Sequence, residues 1–192
     1  VVPGGFGNRG VEGKILAANF ARINNIPYFG ICLGMQISVI EFARNILGLK
    51  DANSTEFDLK TPFPVISLVT EWDDYKKGKL KGSLHQMGGT MRLGAQSCTL
   101  MKKTLAHSLY KKNIISERHR HRYEVNNKFV DQFNETDLVF SGYSGNKDLM
   151  EMLELKHHPW YLASQFHPEF TSSPLKGHPL FNSFIKTAYE TK

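Results

Sequence analysis

The stretch Gly30-Ile31-Cys32-Leu33-Gly34 lies between a short apolar run and a longer segment with helical periodicity. Residues 26–31 have the character of a buried strand, and residues 35–47 carry apolar side chains at helical spacing up to Gly48, which is suited to end a helix. G-x-C-x-G is the cysteine counterpart of the G-x-S-x-G turn, which exposes a nucleophilic serine between a strand and a helix. The pattern therefore predicts a strand–turn–helix unit with Cys32 at the turn.

Two interpretations of Cys32 follow from this position. A thiol at a helix N-terminus lies near the positive end of the helix dipole, which favours the thiolate and hence a nucleophile. Cysteine is also among the most buried residue types, so Cys32 could simply pack at the end of a strand. The motif alone leaves both interpretations open.

The composition of the 192-residue chain is that of one globular domain, with 41% hydrophobic and 22% charged residues. Two cysteines far apart in sequence predict neither a disulfide framework nor a cysteine-based metal site, and we expect a cytoplasmic protein with Cys98 in its core. No apolar run approaches the roughly 20 residues of a membrane helix, and no secretory signal opens the chain. Because Val1 and Val2 have the character of a strand already under way, we expect the chain to be part of a larger protein.

The formal charge of +6 raises the question of a nucleic-acid partner. The lysines are scattered through polar segments such as 76–81, and no basic helix with interleaved aromatic residues is present. Solvated surface lysines are the better explanation, so we expect no nucleic-acid partner. A modestly basic surface nevertheless favours anionic ligands such as nucleotides.

The order of predicted elements indicates an α/β fold. A strand end and a glycine-rich loop at 1–10 precede a helix at 13–24, the strand before Cys32 and the helix after it. This order is typical of right-handed βαβ units, so we expect a doubly wound, largely parallel open sheet flanked by helices. The apolar side of the first helix is predicted to comprise Ile15, Leu16, Ala18, Phe20, Ala21 and Ile23.

Further strands are predicted at 64–69, 87–95, 137–144, 150–155 and 160–166, with a closing helix at 179–188. Residues 73–86 are polar and without periodicity, and we expect a mobile loop with a lid or surface role. The glycine-rich loop lacks the spacing of a phosphate-binding loop, but its N–H groups are suited to an anion or an oxyanion.

Residues 117–126 alternate cations and imidazoles. On a strand the arginines would line one face and the histidines the other. A metal site is not expected, because no carboxylate or thiol stands at a suitable spacing and the arginines would repel the ion. An arginine that binds a carboxylate and a solvated basic edge strand remain the two alternatives.

His167 and Glu169 flank Pro168, which pushes the preceding residue towards the extended conformation. In an extended chain, residues i and i+2 point the same way, so the two side chains are predicted to share a face. A carboxylate beside an imidazole is the third member of a nucleophile, base and orienter set. A structural histidine at a strand end is the alternative.

Six segments together resemble the class I glutamine amidotransferases with a Cys-His-Glu triad, and among them the glutaminase domains of CTP synthases. These segments are P-G-G-F-G at 3–7, G-I-C-L-G-M-Q at 30–36, N-S-T-E-F at 53–57, G-G-T-M-R-L-G at 88–94, R-H-R-H-R-Y-E-V-N at 118–126 and Q-F-H-P-E-F at 165–170. The resemblance covers nearly the whole chain and implies that residues 1–192 form the glutaminase domain, without the synthetase domain.

The resemblance implies roles for named residues. Cys32 would attack the side-chain amide of L-glutamine and form a thioester, His167 would relay the proton to ammonia, and Glu169 would orient His167. The N–H groups of Gly5 and Leu33 would form the oxyanion hole. The remaining substrate-binding residues implied are Gly34, Met35, Gln36, Glu56 and Arg122, with Arg122 on the α-carboxylate and Glu56 near the ammonium.

The resemblance also implies partners. Ammonia would pass to the synthetase (amidoligase) domain of the same polypeptide, where UTP is converted to CTP with ATP and Mg²⁺, within a homo-oligomer of the full-length enzyme. GTP would be an allosteric activator, met by the segments that contain Phe6 and Arg122; no cofactor or metal is expected in this domain itself. Two other possibilities are a peptidase-like cysteine hydrolase and a regulatory or assembly module whose glutaminase is silent without its partner.

Overall fold

The computed structural model describes residues 1–68, 71–74, 78–81, 91–145 and 149–191, with the backbone alone described between 71 and 81. The helices are α1 Val11–Ile23, α2 Leu33–Asn45, α3 Leu105–Tyr110, α4 Val130–Asn134 and α5 Pro179–Glu190. The strands are β1 Tyr28–Ile31, β2 Ala52–Ser54, β3 Phe63–Leu68, β4 Glu71–Asp74, β5 Gly78–Lys81, β6 Arg92–Leu100, β7 Ile114–His121, β8 Tyr123–Val125, β9 Leu138–Ser144, β10 Leu149–Leu155 and β11 Tyr161–Ser164. Two short 3₁₀ helices span Asn127–Phe129 and Pro168–Thr171.

The main sheet has the strand order β1-β11-β10-β9-β6-β7, and a second sheet has the order β2-β3-β8. Pairing is parallel between β1 and β11, between β2 and β3, and at a bridge from Val2 to Gly30. The other pairs of these two sheets are antiparallel. The expected α/β fold is confirmed, but the sheet is mixed rather than largely parallel. The reason is the length of the connections after β9 and β10. They are too short for the crossover of about a dozen residues or more that parallel strands need, so the chain reverses and the strands pair antiparallel.

Helices cover both faces of the main sheet. On one face, α1, α2 and α4 contribute Ile15, Ile37 and Phe133 to a core that also contains Leu153 and Tyr161 of the sheet. On the other face, α3 and α5 contribute Ala106 and Leu180 to a second core with Phe29, Trp160 and Cys98. Cys98 is fully buried there, as the sequence predicts.

Helix α1 buries only half of its predicted apolar side. Ile15, Ala18 and Ala21 are buried, whereas Leu16, Phe20 and Ile23 are 58 to 66% exposed. At 100° per residue the three exposed side chains fall on one stripe, nearly opposite the buried one. The prediction of a single apolar side is therefore wrong, because these six positions do not share one face.

The segment 73–86 is partly ordered into strands. β4 and β5 pair antiparallel, so residues 73–74 and 78–81 form strands rather than an irregular loop, and the expected mobility stays a prediction. Residues 75–77 and 82–86 lie outside the described part of the chain, as do residues 87–90 of the strand predicted at 87–95. That strand begins at Arg92 and continues to Leu100.

Candidate active site

Cys32 sits at the turn between β1 and α2 with φ 52° and ψ −101°, a conformation that is costly for a residue with a side chain. Its backbone N–H donates a hydrogen bond to the Ser164 carbonyl at 2.7 Å, which ties the turn to the end of β11. The predicted strand–turn–helix geometry is therefore present, with the thiol 4% exposed.

The two flanking glycines are required by close backbone packing. A Cβ on Gly30 would lie 2.6 Å from the carbonyl oxygen of Gly34, and a Cβ on Gly34 would lie 2.1 Å from that of Val2. Both distances are shorter than real Cβ contacts, so a side chain at either position would displace the turn. The spacing G-x-C-x-G thus follows from the contact of the turn with the strand ends.

The glycine-rich loop lies against the turn. A Cβ on Gly4 would be 2.8 Å from His167 Cε1 and 3.6 Å from Cys32 Cβ, so Gly4 borders both side chains. A Cβ on Gly5 would be 3.1 Å from the Leu33 side chain. The structure therefore brings Cys32, His167, Gly5 and Leu33 together, next to the paired ends of the parallel strands β1 and β11.

His167 and Glu169 form the predicted pair, with 2.6 Å between Nδ1 and Oε1. The predicted reason is wrong: Glu169 lies in the 3₁₀ helix Pro168–Thr171, and that turn, rather than an extended chain, brings the carboxylate back to the ring. The His167 N–H donates to the Arg118 carbonyl at 2.8 Å, and the Phe170 ring stacks on the imidazole at 4.8 Å. Nε2 of His167 has no hydrogen-bond partner among the described residues.

Partial burial raises the pKa of Glu169, but its hydrogen bond with His167 and the nearby imidazoles outweigh burial, and the pKa ends below the ordinary value. The carboxylate therefore stays ionised and holds the His167 ring in one orientation. Nδ1 is occupied by this contact, and Nε2 is the ring nitrogen available for proton transfer.

The Cys32 thiol is neutral in this structure. Burial raises its pKa to about 12, and the negative charges of Glu124, Glu169 and Glu56 raise it as well, whereas the Leu33 backbone N–H lowers it. The helix N-terminus acts in the expected direction, because the Leu33 N–H lowers the pKa of the thiol, but desolvation outweighs this donor. A thiolate has to be generated by proton transfer.

Glu56 and Arg122 come from different parts of the chain, and both act on Tyr123. Glu56 Oε1 accepts a hydrogen bond from the Gly7 N–H at 2.7 Å, so it anchors the glycine-rich loop. Burial raises the pKa of the Tyr123 phenol, Glu56 raises it further, and Arg122 lowers it, so both charges act on one neighbourhood. Arg122 itself is half-buried at the bend between β7 and β8.

The first turn of α2 supplies the rest of the predicted binding residues. Gln36 is buried, and its Nε2 donates to the Tyr123 carbonyl at 3.0 Å and to Gln165 Oε1 at 3.3 Å. Met35 is fully buried in the core, and its place among the substrate-binding residues stays a prediction. The Gly34 carbonyl accepts hydrogen bonds from Tyr28 and Ser38.

A buried charged cluster beside the site was missed by the sequence reasoning. Arg92 is 1% exposed and bonds Glu124 and, at 2.7 Å, Glu151. On β7 the arginines are exposed and the histidines buried, as predicted, and His119 Nδ1 lies 2.8 Å from His121 Nε2. Burial holds the pKa of both imidazoles well below the usual range, so they are neutral. The alternation of cations and imidazoles in residues 117–126 was the sequence signal that could have indicated this buried cluster.

Metal-binding clusters and membrane-spanning helices are both absent from the described residues. No group of three or more His, Cys, Asp or Glu side chains there is placed to hold a metal ion. None of the helices in those ranges is long and apolar enough to cross a membrane.

The family model for class-I glutamine amidotransferases matches residues 1–187. The chain belongs to this family. Among solved structures, it is similar to the glutaminase domain of CTP synthase from Trypanosoma brucei with bound acivicin, at 41% identity and a TM-score of 0.86, over 98% of this chain and 70% of that one. A GMP synthase subunit protein of Thermoplasma acidophilum is 17% identical with a TM-score of 0.58, over 98% of this chain and 71% of that one, and shows the shared fold alone.

Proposed function

We propose that this class-I glutamine amidotransferase is the glutaminase domain of a CTP synthase and releases ammonia from L-glutamine through a Cys32 thioester. The observation that carries the proposal is the meeting of Cys32, at positive φ, with the His167–Glu169 pair around Gly4. The likeness to the Trypanosoma brucei domain supports the choice of CTP synthase within the family.

Substrate binding uses two side chains of opposite charge, one for each of the two charged groups on the α-carbon of glutamine. Arg122 binds the α-carboxylate, and Glu56 binds the ammonium, since both charges act on the neighbourhood of Tyr123. Gly34 and Met35 contribute to substrate binding only through the backbone of the first turn of α2. The buried side chain of Gln36 lines the site. The side-chain amide of glutamine then reaches the thiol.

The chemical steps need one proton shuttle. His167 Nε2 takes the thiol proton as Cys32 Sγ bonds to the amide carbon, and the N–H groups of Gly5 and Leu33 bind the oxyanion, a contribution of about 3 kcal/mol per donor. The carbon–nitrogen bond breaks as the proton passes from His167 to the leaving ammonia. Water, deprotonated by His167, then cleaves the thioester, releases glutamate and returns the proton to sulfur.

The ammonia is used in a synthetase domain of the same polypeptide, which aminates UTP to CTP with ATP and Mg²⁺, in a homo-oligomer of the full-length enzyme. We assign no ATP or Mg²⁺ contact to this chain. The ring of Phe6 is 89% exposed on the glycine-rich loop and offers a stacking surface for the purine of GTP, the proposed activator. We expect the glutaminase activity of this domain alone to be low and to rise in the presence of the synthetase domain and GTP.

Covalent labelling with acivicin, an electrophilic α-amino acid, tests this proposal. We expect mass spectrometry of the digested protein to find the adduct on the peptide that contains Cys32, and glutamine to protect it. The unlabelled domain should release glutamate from glutamine and should leave peptide substrates intact. Glutamate release should be faster in the full-length enzyme with GTP. An adduct on Cys98, or peptide cleavage without glutamate release, would contradict the assignment.

A further inference from the structure

Gln165 is a fully buried polar residue next to the Cys32 sulfur, and the proposed chemical steps give it no role. It follows β11 directly and precedes His167 by two residues. Its backbone N–H donates to the Glu151 carbonyl at 2.8 Å, which fixes the main chain. Its side-chain Nε2 lies 3.7 Å from Cys32 Sγ, a distance suited to a hydrogen bond with sulfur.

The orientation of the Gln165 amide follows from its neighbours. The Tyr123 carbonyl can only accept, so the Gln36 side chain, 3.0 Å away, must present its NH₂ group there. The second hydrogen of that NH₂ group points to Gln165, at 3.3 Å from Oε1. Gln165 therefore directs its oxygen to Gln36 and its own NH₂ group to the sulfur of Cys32.

A donor at this place acts against unfavourable surroundings. The charged groups that act on Cys32 are the carboxylates of Glu56, Glu124 and Glu169, and all three oppose a negative sulfur. The donors directed at the sulfur are the Leu33 backbone N–H and the Gln165 amide. A hydrogen bond to an ionised acceptor is stronger than one to a neutral acceptor, so these donors favour the thiolate over the thiol.

We propose that Gln165 is a further catalytic residue, which donates a hydrogen bond to the Cys32 thiolate, and that Gln36 is a positioning residue, which holds the Gln165 amide in its donating orientation. This inference rests on the proposed function, because it concerns the same nucleophile. It adds a side-chain relay from the Tyr123 carbonyl to the sulfur that is independent of the proton path through His167.

The test is the pH dependence of Cys32 alkylation by iodoacetamide, read peptide by peptide between pH 7 and 11. Gln165→Met removes the donor, and we expect alkylation at least about tenfold slower at a given pH, with the profile moved to higher pH. Gln165→Glu adds a fourth carboxylate and should slow it further. Gln36→Met should give a smaller change in the same direction. The control for Gln165→Glu is the same Gln→Glu substitution at an exposed position of α4, Gln132→Glu, which should leave the alkylation profile of Cys32 unchanged.

Cys98 is an internal control for folding in every sample, because its fully buried side chain lies in the core beneath α3 and α5 and becomes accessible to iodoacetamide when the protein unfolds. An unchanged Cys32 profile in Gln165→Met, with Cys98 unlabelled, would overturn the inference. If iodoacetamide also labels Cys98 in Gln165→Met, that variant is unfolded. The alkylation profile of Cys32 is then compared between wild type and Gln165→Asn, whose side chain is one methylene shorter, and an unchanged profile in Gln165→Asn would overturn the inference.

The inference and the proposed function fail in different ways. Iodoacetamide needs no bound glutamine, so the alkylation profile does not depend on turnover. Glutamate release by the wild type with unchanged profiles in the variants would remove only the role of Gln165. Absence of glutamate release with shifted profiles would remove only the proposed function. For the active enzyme we expect kcat of Gln165→Met to fall while KM for glutamine stays within about twofold.

Discussion

Cys32 and Cys98 share burial and little else. Burial raises the pKa of both thiols, so neither is ionised at neutral pH. Cys98 lies within β6, in an apolar core beneath α3 and α5. Cys32 occupies a strained turn, lies close to the imidazole of His167, and receives an amide donor. The difference teaches that backbone placement and polar neighbours, rather than burial or intrinsic acidity, distinguish a nucleophile from a packing residue here.

Replacing each cysteine by alanine in turn should give the largest difference between the two sites. Cys32→Ala should lower glutaminase activity by at least about 10³-fold, because the thioester forms on this sulfur. Cys98→Ala should leave kcat nearly unchanged and lower the free energy of unfolding by roughly 1–2 kcal/mol, through lost core packing. Glutamate release and urea unfolding measure the two effects. Substantial activity in Cys32→Ala would end the distinction between the two cysteines.

Each cysteine also has a neighbouring glycine, which gives a matched pair of substitutions. A Cβ on Gly4 would lie 2.8 Å from His167, and a Cβ on Gly142 would lie 2.9 Å from Cys98 Sγ. Gly4→Ala should lower kcat on the order of 100-fold with little loss of stability, because it displaces the base. Gly142→Ala should cost about 1–3 kcal/mol of stability, with kcat of the folded protein retained. If Gly4→Ala kept its kcat while Gly142→Ala lost activity, His167 would not be the base for Cys32.

Arg122→Ala tests whether the region around Cys32 binds an amino acid. Loss of a charge-assisted bond to the α-carboxylate should raise KM for glutamine about 10- to 100-fold, with a smaller change in kcat. Arg120→Ala, on the exposed face of β7, is the control and should leave KM within about twofold. Steady-state kinetics provide both values, and an unchanged KM in Arg122→Ala would remove that residue from the substrate site.

Glu169→Gln should have the smallest effect, about tenfold on kcat, because the carboxylate is 42% exposed and orients the base without reacting. The pH dependence carries a sign. The folded pKa of Glu169 lies below the ordinary 4.5, so its contact with His167 stabilises the fold above that pH and is lost as pH falls through the folded value. The stability difference between wild type and Glu169→Gln should shrink as pH falls below 4.5, where the Glu169 carboxylate becomes protonated. Urea unfolding at about pH 5 and below measures it, and a stability difference that does not shrink below pH 4.5 would contradict the contact.

Features set by local periodicity could be predicted from the sequence. The turn at Cys32 and helix α2 follow from glycine spacing and helical periodicity, and the opposite faces of the arginines and histidines on β7 follow from the period of a strand. The mixed direction of the sheet could not be read in this way, because pairing depends on which distant strands meet. The 3₁₀ turn at Glu169 was missed for another reason: the restriction by Pro168 applies to the residue before it, not to the one after it.

The protonation of Cys32 and the cluster around Arg92 were beyond sequence reasoning for a common cause. Both depend on groups that are far apart along the chain. The cluster joins Arg92 of β6 to Glu124 of β8 and Glu151 of β10, and the charges that act on Cys32 are those of Glu124, Glu169 and Glu56. The motif indicated a helix N-terminus at Cys32 but carried no information about the carboxylates around it. Gln165 opens the motif Q-F-H-P-E-F, and only the three-dimensional contact with the sulfur distinguishes it from its neighbours.

The parallel pairing of β1 with β11 has a consequence for the order of folding. β9, β10 and β11 are joined by short connections and can form early, whereas Cys32 and Gln165 are 133 residues apart and meet only after a long loop has closed. A ribosome would have to release nearly the entire domain before the thiol acquires its base and its amide donor. We therefore expect the nascent chain to carry an inert cysteine, and reactivity at Cys32 to report completion of the last and most distant strand pairing.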